Sequence, residues 1–502
     1  MLNLTLNKYQ LLIIAMLAGA ILPGAFAPHH LWPLAIVSPA ILLWVWQKNT
    51  TSKQAFMSGL GYGLGMFGVG VSWVFVSIHH YGNTNIPLAV LITSILVIVL
   101  ALFIATQGYV LKHFFRGNTV AFCLLGFPSC WVLFEWLRSW LFTGFPWLYL
   151  GYSQLTTPLS GYAPVMSVYG VSTAVLLTSG ALIVLMISSR KIKAAGSFLI
   201  ILIWGIGYFL QQHNFTKPNP KLYTVRLVQG NIKPFDKFTS TDPIGSTEKT
   251  YGKLTEKEWG ADLILWPESA IPLPLPYSKP YFDELEKRAF SHHSTLIAGI
   301  QVINSKEEYH NSLIALGDGH GIYHKYHLVP FGDFLPFDYW LRGLIGFFDL
   351  PMSSFTSGPT EQPLITAGDL KLVPLICYEI AFPELLRNTL RNADAIITLS
   401  EDGWFGESWG PYQHLEIAQM RALETGRMVL RATTSGITAI IDPKGTLSAT
   451  IPQFEARVLS GTFHSMTGTT PWVKFGLWPL LGLLFSCFIL PGRLLCCRHR
   501  IS

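Results

Sequence analysis

Residues 372–388 read LVPLICYEIAFPELLRN. An apolar run stops at Cys377, an acid follows two residues later, and a stretch of helical character comes next. A strand that hands over to a helix through a reactive residue belongs to layered α/β domains, where reactive groups collect at strand ends. The neighbouring sequence has the same grammar. Short strand candidates rich in β-branched residues recur: TVRLVQGNI at 224–232, ADLILW at 261–266, STLIAGIQVI at 294–303, NSLIALG at 311–317, LKLVPLIC at 370–377, ADAIITLS at 393–400 and ITAIIDPKGTLSAT at 437–450, the last with a DPKG turn. Helical patterns such as YFDELEKRAF at 281–290 and PYQHLEIAQMRALETG at 411–426 lie between them. Residues 221–466 therefore read as a water-exposed α/β domain.

The rest of the chain has a different composition. Of 502 residues, half are hydrophobic and 13% charged, where about a quarter is usual for soluble domains. Residues 1–210 contain a single acid, Glu135, against nine Lys and Arg. Apolar segments at roughly 9–27, 31–47, 56–78, 86–111, 119–142, 161–188, 195–211 and 473–491 approach the length needed to cross a bilayer, the second and seventh being short. About eight spans are thus expected: seven in a bundle over 1–212, and a last one, with a basic tail, in 472–502. The positive net charge sits in short loops between these segments, which excludes a nucleic-acid footprint. Lys48 and Lys53, Lys112 and Arg116, and Arg190, Lys191 and Lys193 occupy alternate loops, while 28–30, 79–85 and 143–160 carry no Lys or Arg. Basic loops face the cytoplasm, so both termini are expected inside and 212–470 outside. GAFAPHH at 24–30 also fits a signal-peptide cleavage site, but further spans follow at once and a retained first span is expected. Glu135 and Arg138, three apart on the fifth span, are expected to pair on one helix face.

Of the six Cys, only Cys377 falls in the outer domain, so it has no disulfide partner there, and no CxxC or Cys/His spacing points to zinc. His pairs at 29–30, 79–80 and 292–293 lack a third ligand in register. Two readings of Cys377 stand: a buried structural thiol, or a nucleophile at a strand end. The following AFPELLRN favours the second, because amides at a helix N-terminus would stabilise a thiolate. Two other strand ends carry chemistry. ADLILWPESA ends in Glu268, and GIYHKYHLVPFGDFLP places Lys325 before a Pro- and Gly-bearing loop.

Together WPES, K-x-HLVPFGDF and ICYE resemble the Glu-Lys-Cys triad of the nitrilase superfamily. FGVGVSWVFVSI at 67–78, FTGFPWLYLGYSQ at 142–154, FFDLPMSSF at 347–355 and MRALETGR at 420–427 extend the likeness to nearly the whole chain. The chain resembles the apolipoprotein N-acyltransferase family. The resemblance implies a multi-span helical membrane bundle carrying an αββα nitrilase-like sandwich. It implies a bacterial inner-membrane enzyme, with that domain on the periplasmic side, that moves a fatty acyl chain from a phospholipid to the N-terminal amine of a diacylated apolipoprotein. A thioester on Cys377 suits that task. Glu268 would act as general base and acid, and Lys325 would stabilise the oxyanion. No metal, nucleotide or redox cofactor is expected, no nucleic-acid partner, and a monomer.

Supporting residues follow from the same resemblance. Glu379 fits a second carboxylate beside the nucleophile, with a structural ion pair as the alternative. Tyr378 would line the pocket. Asp333 stands where the family has Glu, one methylene shorter. Trp404, in SEDGWFG, matches an aromatic at the substrate entrance, or else simple core packing. Glu401 replaces an expected Asn. Phe238 is the counterpart of a family Trp and lacks its N–H. The apolar loop 341–355 is expected to act as a lid that touches lipid. Competing functions are a membrane-tethered amidase or hydrolase that hands the acyl group to water, a transporter with an inactive outer domain, and a scaffold.

Overall fold

The computed structural model describes residues 6–115, 119–234, 237, 241–336, 354–387 and 389–498, with backbone only at 391 and 490–498. The chain divides into two compact units. One comprises Met1–Phe75, Pro87–Asn214 and Lys474–Ser502; the other Val76–Ile86 and Phe215–Val473.

The first unit is helical. Lys8–Ala25, Ile86–Phe114, Thr119–Arg138, Pro158–Ile187 and Arg190–Gln212 are long and apolar enough to cross a membrane. A sixth candidate is broken: Ser52–Gly70 and Trp73–Tyr81 meet at 50°. The second and last expected spans are shorter apolar helices, Leu34–Lys48 and Trp478–Ile489. Length and composition therefore support five or six spans, where the sequence pattern gave about eight. Helices Lys8–Ile21 and Ser52–Gly70 pack backbone to backbone. A Cβ on Gly19 would stand 2.0 Å from the Tyr62 carbonyl oxygen, and one on Gly65 2.1 Å from that of Met16. Small residues allow this approach where lipid supplies no hydrophobic drive between helices.

Segment 143–160, expected as an exposed loop, is buried within this unit as irregular backbone and two 3₁₀ turns, Leu150–Gln154 and Pro158–Tyr162. Buried irregular backbone persists only where protein satisfies its polar groups. Glu135 and Arg138 do this. Arg138 donates to the carbonyls of Phe145 (2.8 Å) and Trp147 (2.6 Å). Glu135 Oε1 accepts from Trp131 Nε1 and Leu150 N, both at 3.1 Å, and its carbonyl accepts from Tyr149 Oη at 2.8 Å. The expected Glu135–Arg138 ion pair is absent among the described residues. Each charge ties down a different part of this buried segment instead.

The second unit is a two-sheet sandwich. Its strands are β1 (Thr216–Gln229), β2 (Leu263–Leu265), β3 (Ile271–Pro274), β4 (Thr295–Ile303), β5 (Tyr309–Gly317), β6 (Gly319–His320), β7 (Ile322–His324), β8 (Ile365–Ala367), β9 (Leu370–Ile376), β10 (Ala395–Ser400), β11 (Val429–Thr433), β12 (Thr438–Ile441), β13 (Leu447–Ile451) and β14 (Arg457–Gly468). One sheet runs β14-β1-β2-β4-β5-β7, with β3 beside β4; the other runs β13-β12-β11-β10-β9-β8-β6. Both are mixed: β1, β2 and β4 are parallel, as are β9, β10 and β11, with antiparallel partners outside them. Alternation along the strands sorts their side chains. Leu263 and Leu265 join Leu227, Ile297, Leu372, Ile376, Ile397 and Leu399 in the core between the sheets. Ile264, Leu296, Ala298 and Ile300 face outward onto Phe282, Leu285 and Ala289 of helix Leu275–Ser291. Helix Gly410–Thr425, buried on nearly every side, packs on the second sheet at β11. Parallel strands covered on both faces account for the nearly continuous apolar runs in the sequence.

Candidate active site

The three singled-out residues follow the carboxyl ends of strands, Glu268 and Cys377 after parallel ones and Lys325 after the antiparallel β7. Glu268 follows β2 by three residues, Lys325 follows β7 directly, and Cys377 follows β9 directly. Glu268 and Lys325 are buried and Cys377 is partly so.

Cys377 opens a 3₁₀ turn, Cys377–Ala381, with its own φ at 53°. That left-handed conformation is disfavoured for a residue with a Cβ and persists where its surroundings over-determine it. Two braces do so here. Glu379 Oε2 accepts from Ile376 N at 2.7 Å, while its Oε1 accepts from Tyr326 N (2.8 Å), His327 N (3.1 Å) and Tyr323 Oη (2.9 Å). This ties the cysteine turn to the segment that follows Lys325. On the other side His414 Nε2 lies 3.2 Å from the Cys377 carbonyl oxygen. His414 Nδ1 stands 2.9 Å from Asp402 Oδ1, and Arg431 closes the cluster on Asp402. The ion pair considered for Glu379 is replaced by backbone amides and a phenol. Burial raises the Glu379 carboxyl to about 7, against the pull of the Ile376 and His327 amides.

Glu268 and Lys325 meet at 3.3 Å through Oε1 and Nζ. Asn311 Nδ2 donates to the same oxygen at 2.8 Å, and the Glu401 amide donates to Oε2 at 2.9 Å. Gly299 on β4 makes room for this: a Cβ there would lie 2.5 Å from Pro267 O and Ser269 N, and 2.7 Å from Glu268 Cα. Asp333 takes the other side of Lys325 at 2.8 Å and accepts from Val329 N at 2.8 Å. Its shorter side chain reaches the ammonium directly. Burial alone would lower the Lys325 ammonium, but Asp333 and then Glu268 outweigh it and hold the group above its ordinary value. Lys325 is therefore a fixed cation at neutral pH.

The thiol departs from the sequence expectation. The protein enclosing Cys377 pushes it well above the ordinary value; the Glu268 charge adds to this and Lys325 opposes it. The expected helix, Pro383–Arg387, is one turn long and begins six residues later, too short and too far to offset burial. Burial and the Glu268 charge thus favour the thiol form of Cys377 over the thiolate.

Tyr378 packs edge-on against Phe382 at 5.0 Å and lies 6.0 Å from His327. The Trp404 carbonyl accepts from Ser77 Oγ at 2.9 Å, and the Trp404 ring meets Tyr81 at 6.1 Å. Phe238 and residues 341–353 of the expected lid lie outside the described residues. The sequence reading passed over Asn311, Gly299, His414 and Lys237. Each has an ordinary residue type in an ordinary pattern; Gly299 lies in mid-strand and His414 within a helix, positions that carry no signal. Among the described residues no group of three or more His, Cys, Asp or Glu could hold a metal ion.

A buried acid and a fixed cation stand at strand ends of a two-sheet sandwich, within electrostatic reach of the Cys377 thiol. Residues 224–471 match the carbon-nitrogen hydrolase family model, and residues 18–181 match that of the apolipoprotein N-acyltransferase N-terminal domain. An apolipoprotein N-acyltransferase of Coxiella burnetii is 44% identical over 95% of this chain and 99% of its own. One of Azotobacter vinelandii is 40% identical over 94% and 92%. The crystal structure of a carbon-nitrogen hydrolase from Helicobacter pylori G27 covers 52% of this chain and 95% of its own at 17% identity, with a TM-score of 0.36. The chain belongs to the apolipoprotein N-acyltransferase family.

Proposed function

We propose that the protein transfers a fatty acyl chain from a membrane phospholipid to the N-terminal α-amino group of diacylglyceryl-cysteine in apolipoproteins, with Cys377 carrying the chain as a thioester. The observation that carries this reading is the convergence of Glu268, Lys325 and Cys377 at strand ends, in a chain similar to its relatives over almost all of its length.

The thiol proton passes to Glu268 as sulfur attacks the ester carbonyl. Lys325 and the amide after Cys377 take the charge that develops on the carbonyl oxygen. Collapse breaks the ester bond, and Glu268 returns its proton to the departing lysophospholipid oxygen. In the second half-reaction the acceptor amine attacks the thioester. Glu268 removes the amine proton and passes it to sulfur as the carbon–sulfur bond breaks, restoring both the thiol and the carboxylate. The sequence is ping-pong and consumes no cofactor. Asp333 holds Lys325 in place, Glu379 shapes the cysteine turn, and Tyr378, Trp404 and Phe238 are assigned to substrate contact. The 341–355 loop is assigned to gating.

Membrane placement follows from the substrates, because drawing an acyl chain into water costs ~0.8 kcal/mol per CH₂. We assign eight crossings, counting the broken and shorter helices. Domain limits are 1–212, 221–466 and 472–502, with both termini cytoplasmic, the catalytic domain periplasmic, and the enzyme a monomer of the bacterial inner membrane.

Partition of a preformed acyl adduct tests the proposal. Full-length protein is loaded from phospholipid, freed of donor, and offered a diacylglyceryl-cysteine peptide. Discharge onto the peptide amine much faster than into water is expected. Equal or faster loss to water would make the protein a tethered hydrolase.

A further inference from the structure

Glu268 is held from a second direction by an ion pair that the mechanism does not use. Lys237 is 3% exposed and Glu401 4%. Lys237 Nζ lies 2.5 Å from Glu401 Oε2, 3.2 Å from the Glu268 carbonyl oxygen and 3.5 Å from Thr434 Oγ1. Glu401 returns the contact: its amide donates to Glu268 Oε2, and its Oε1 accepts from Gly403 N at 3.3 Å. Enclosing two charges costs several kcal/mol of hydration per ion, which a salt bridge by itself seldom recovers. Here both members also bond to Glu268, one at its main chain and one at its carboxylate. Glu401 follows β10 and Thr434 follows β11, so the pair joins the first sheet's base to two strand ends of the second.

We propose that Lys237 and Glu401 are positioning residues for Glu268, clamping the base by its carbonyl and its Oε2 while presenting it with two charges that cancel. This rests on Glu268 being the base for Cys377. The charged or titratable groups around Glu268 are then Lys325, with Asp333 behind it, and Cys377 on the reacting side, and Lys237 and Glu401 on the other. Tyr251 and Thr434 face Glu401. Removing one member of the pair exposes Glu268 to the charge of the other, with opposite consequences.

The test is the pH dependence of Cys377 acylation by full-length protein with phosphatidylethanolamine in mixed micelles. The reading is the position of the acid limb of this profile relative to wild type. Glu401→Gln leaves the Lys237 cation unopposed, favours the carboxylate, and should move this acid limb down by about half a pH unit or more. Lys237→Met leaves Glu401 unopposed and should move it up by a similar amount. The double variant restores charge balance and should bring the limb back to the wild-type position, at a rate about tenfold lower because the Glu268 carbonyl has lost its donor. If Lys237→Met fails to fold, a downward shift in Glu401→Gln that vanishes in the double variant decides the matter alone. Limbs that stay put while rates or yields drop would make the pair structural and overturn the proposal. Absence of a Cys377 adduct in the wild-type protein would remove the base assignment itself, and this inference with it.

Discussion

Glu135 in the helical unit and Glu268 in the sheet unit are both buried carboxylates, and they keep different company. Glu135 bonds to an indole N–H and a backbone amide, and its carbonyl takes a phenol. Glu268 has an amide and an Asn side chain too, but it also touches an ammonium and lies within electrostatic reach of a thiol. A carboxylate held by neutral donors fixes the path of a chain. One that faces a cation and an acidic hydrogen can exchange a proton without losing its place. Glu379 belongs with Glu135 in its direct bonds, although it stands two residues from Cys377: three amides and a phenol occupy it, and Lys325 acts on it only through space.

That division can be broken by substitution, and the largest effect is expected at Glu268. Glu268→Gln keeps the shape and the Asn311 contact but cannot take the thiol proton. Acyl transfer should fall about 10³-fold, within the range for a general base, with the melting temperature close to wild type. A tenfold loss or less, measured on folded protein, would return Glu268 to the structural class.

Glu379→Gln should act on stability and its pH dependence. The folded carboxyl is raised by burial to about 7 from an ordinary 4.5. The protonated form is therefore the one that favours folding. Its contribution is full below about pH 4.5 and is lost as pH rises through about 7, a component on the order of 3 kcal/mol. Melting curves of the wild type from pH 5 to 8 should carry this decline, and those of Glu379→Gln should be flatter. Identical pH slopes would contradict the assignment.

The smallest of the three effects is expected at Glu135. Glu135→Ala strands the Trp131 and Leu150 donors and should cost about 2 kcal/mol of stability in nanodiscs. Turnover per folded molecule should change less than threefold. A selective loss of turnover with an unchanged melt would give Glu135 a part in the chemistry.

Much of the sheet unit was legible because alternation and strand-end position are local properties. Glu268 and Cys377 were visible as polar residues ending apolar strands, and Lys325 as one placed between a probable strand and a Pro- and Gly-bearing loop; the strands before them are β2, β9 and β7. What escaped depends on distant chain. Lys237 and Glu401 are 164 residues apart, and Asn311 and Glu268 43; no periodicity reports such a meeting. The thiol differs from its sequence expectation for a related reason. A helix N-terminus can be read from sequence, but the desolvation that outweighs it comes from the packed neighbourhood. In the helical unit, apolar length was visible, whereas the burial of 143–160 was not. Its absence of Lys and Arg fits an exposed loop and a buried one equally, and the bonds from Glu135 and Arg138 tell them apart.

The central claim is that the partners of a buried carboxylate, rather than its distance from Cys377, decide whether it takes part in chemistry. Peptide-mapped mass spectrometry after a brief exposure to phospholipid tests this most directly, on wild-type, Glu268→Gln and Glu379→Gln proteins together. The account predicts a hydroxylamine-sensitive acyl adduct on Cys377 in the wild type, a reduced but clear adduct in folded Glu379→Gln, and none in Glu268→Gln within the same interval. Equal adduct in Glu268→Gln and wild type, or an acyl chain found on another residue, would contradict it.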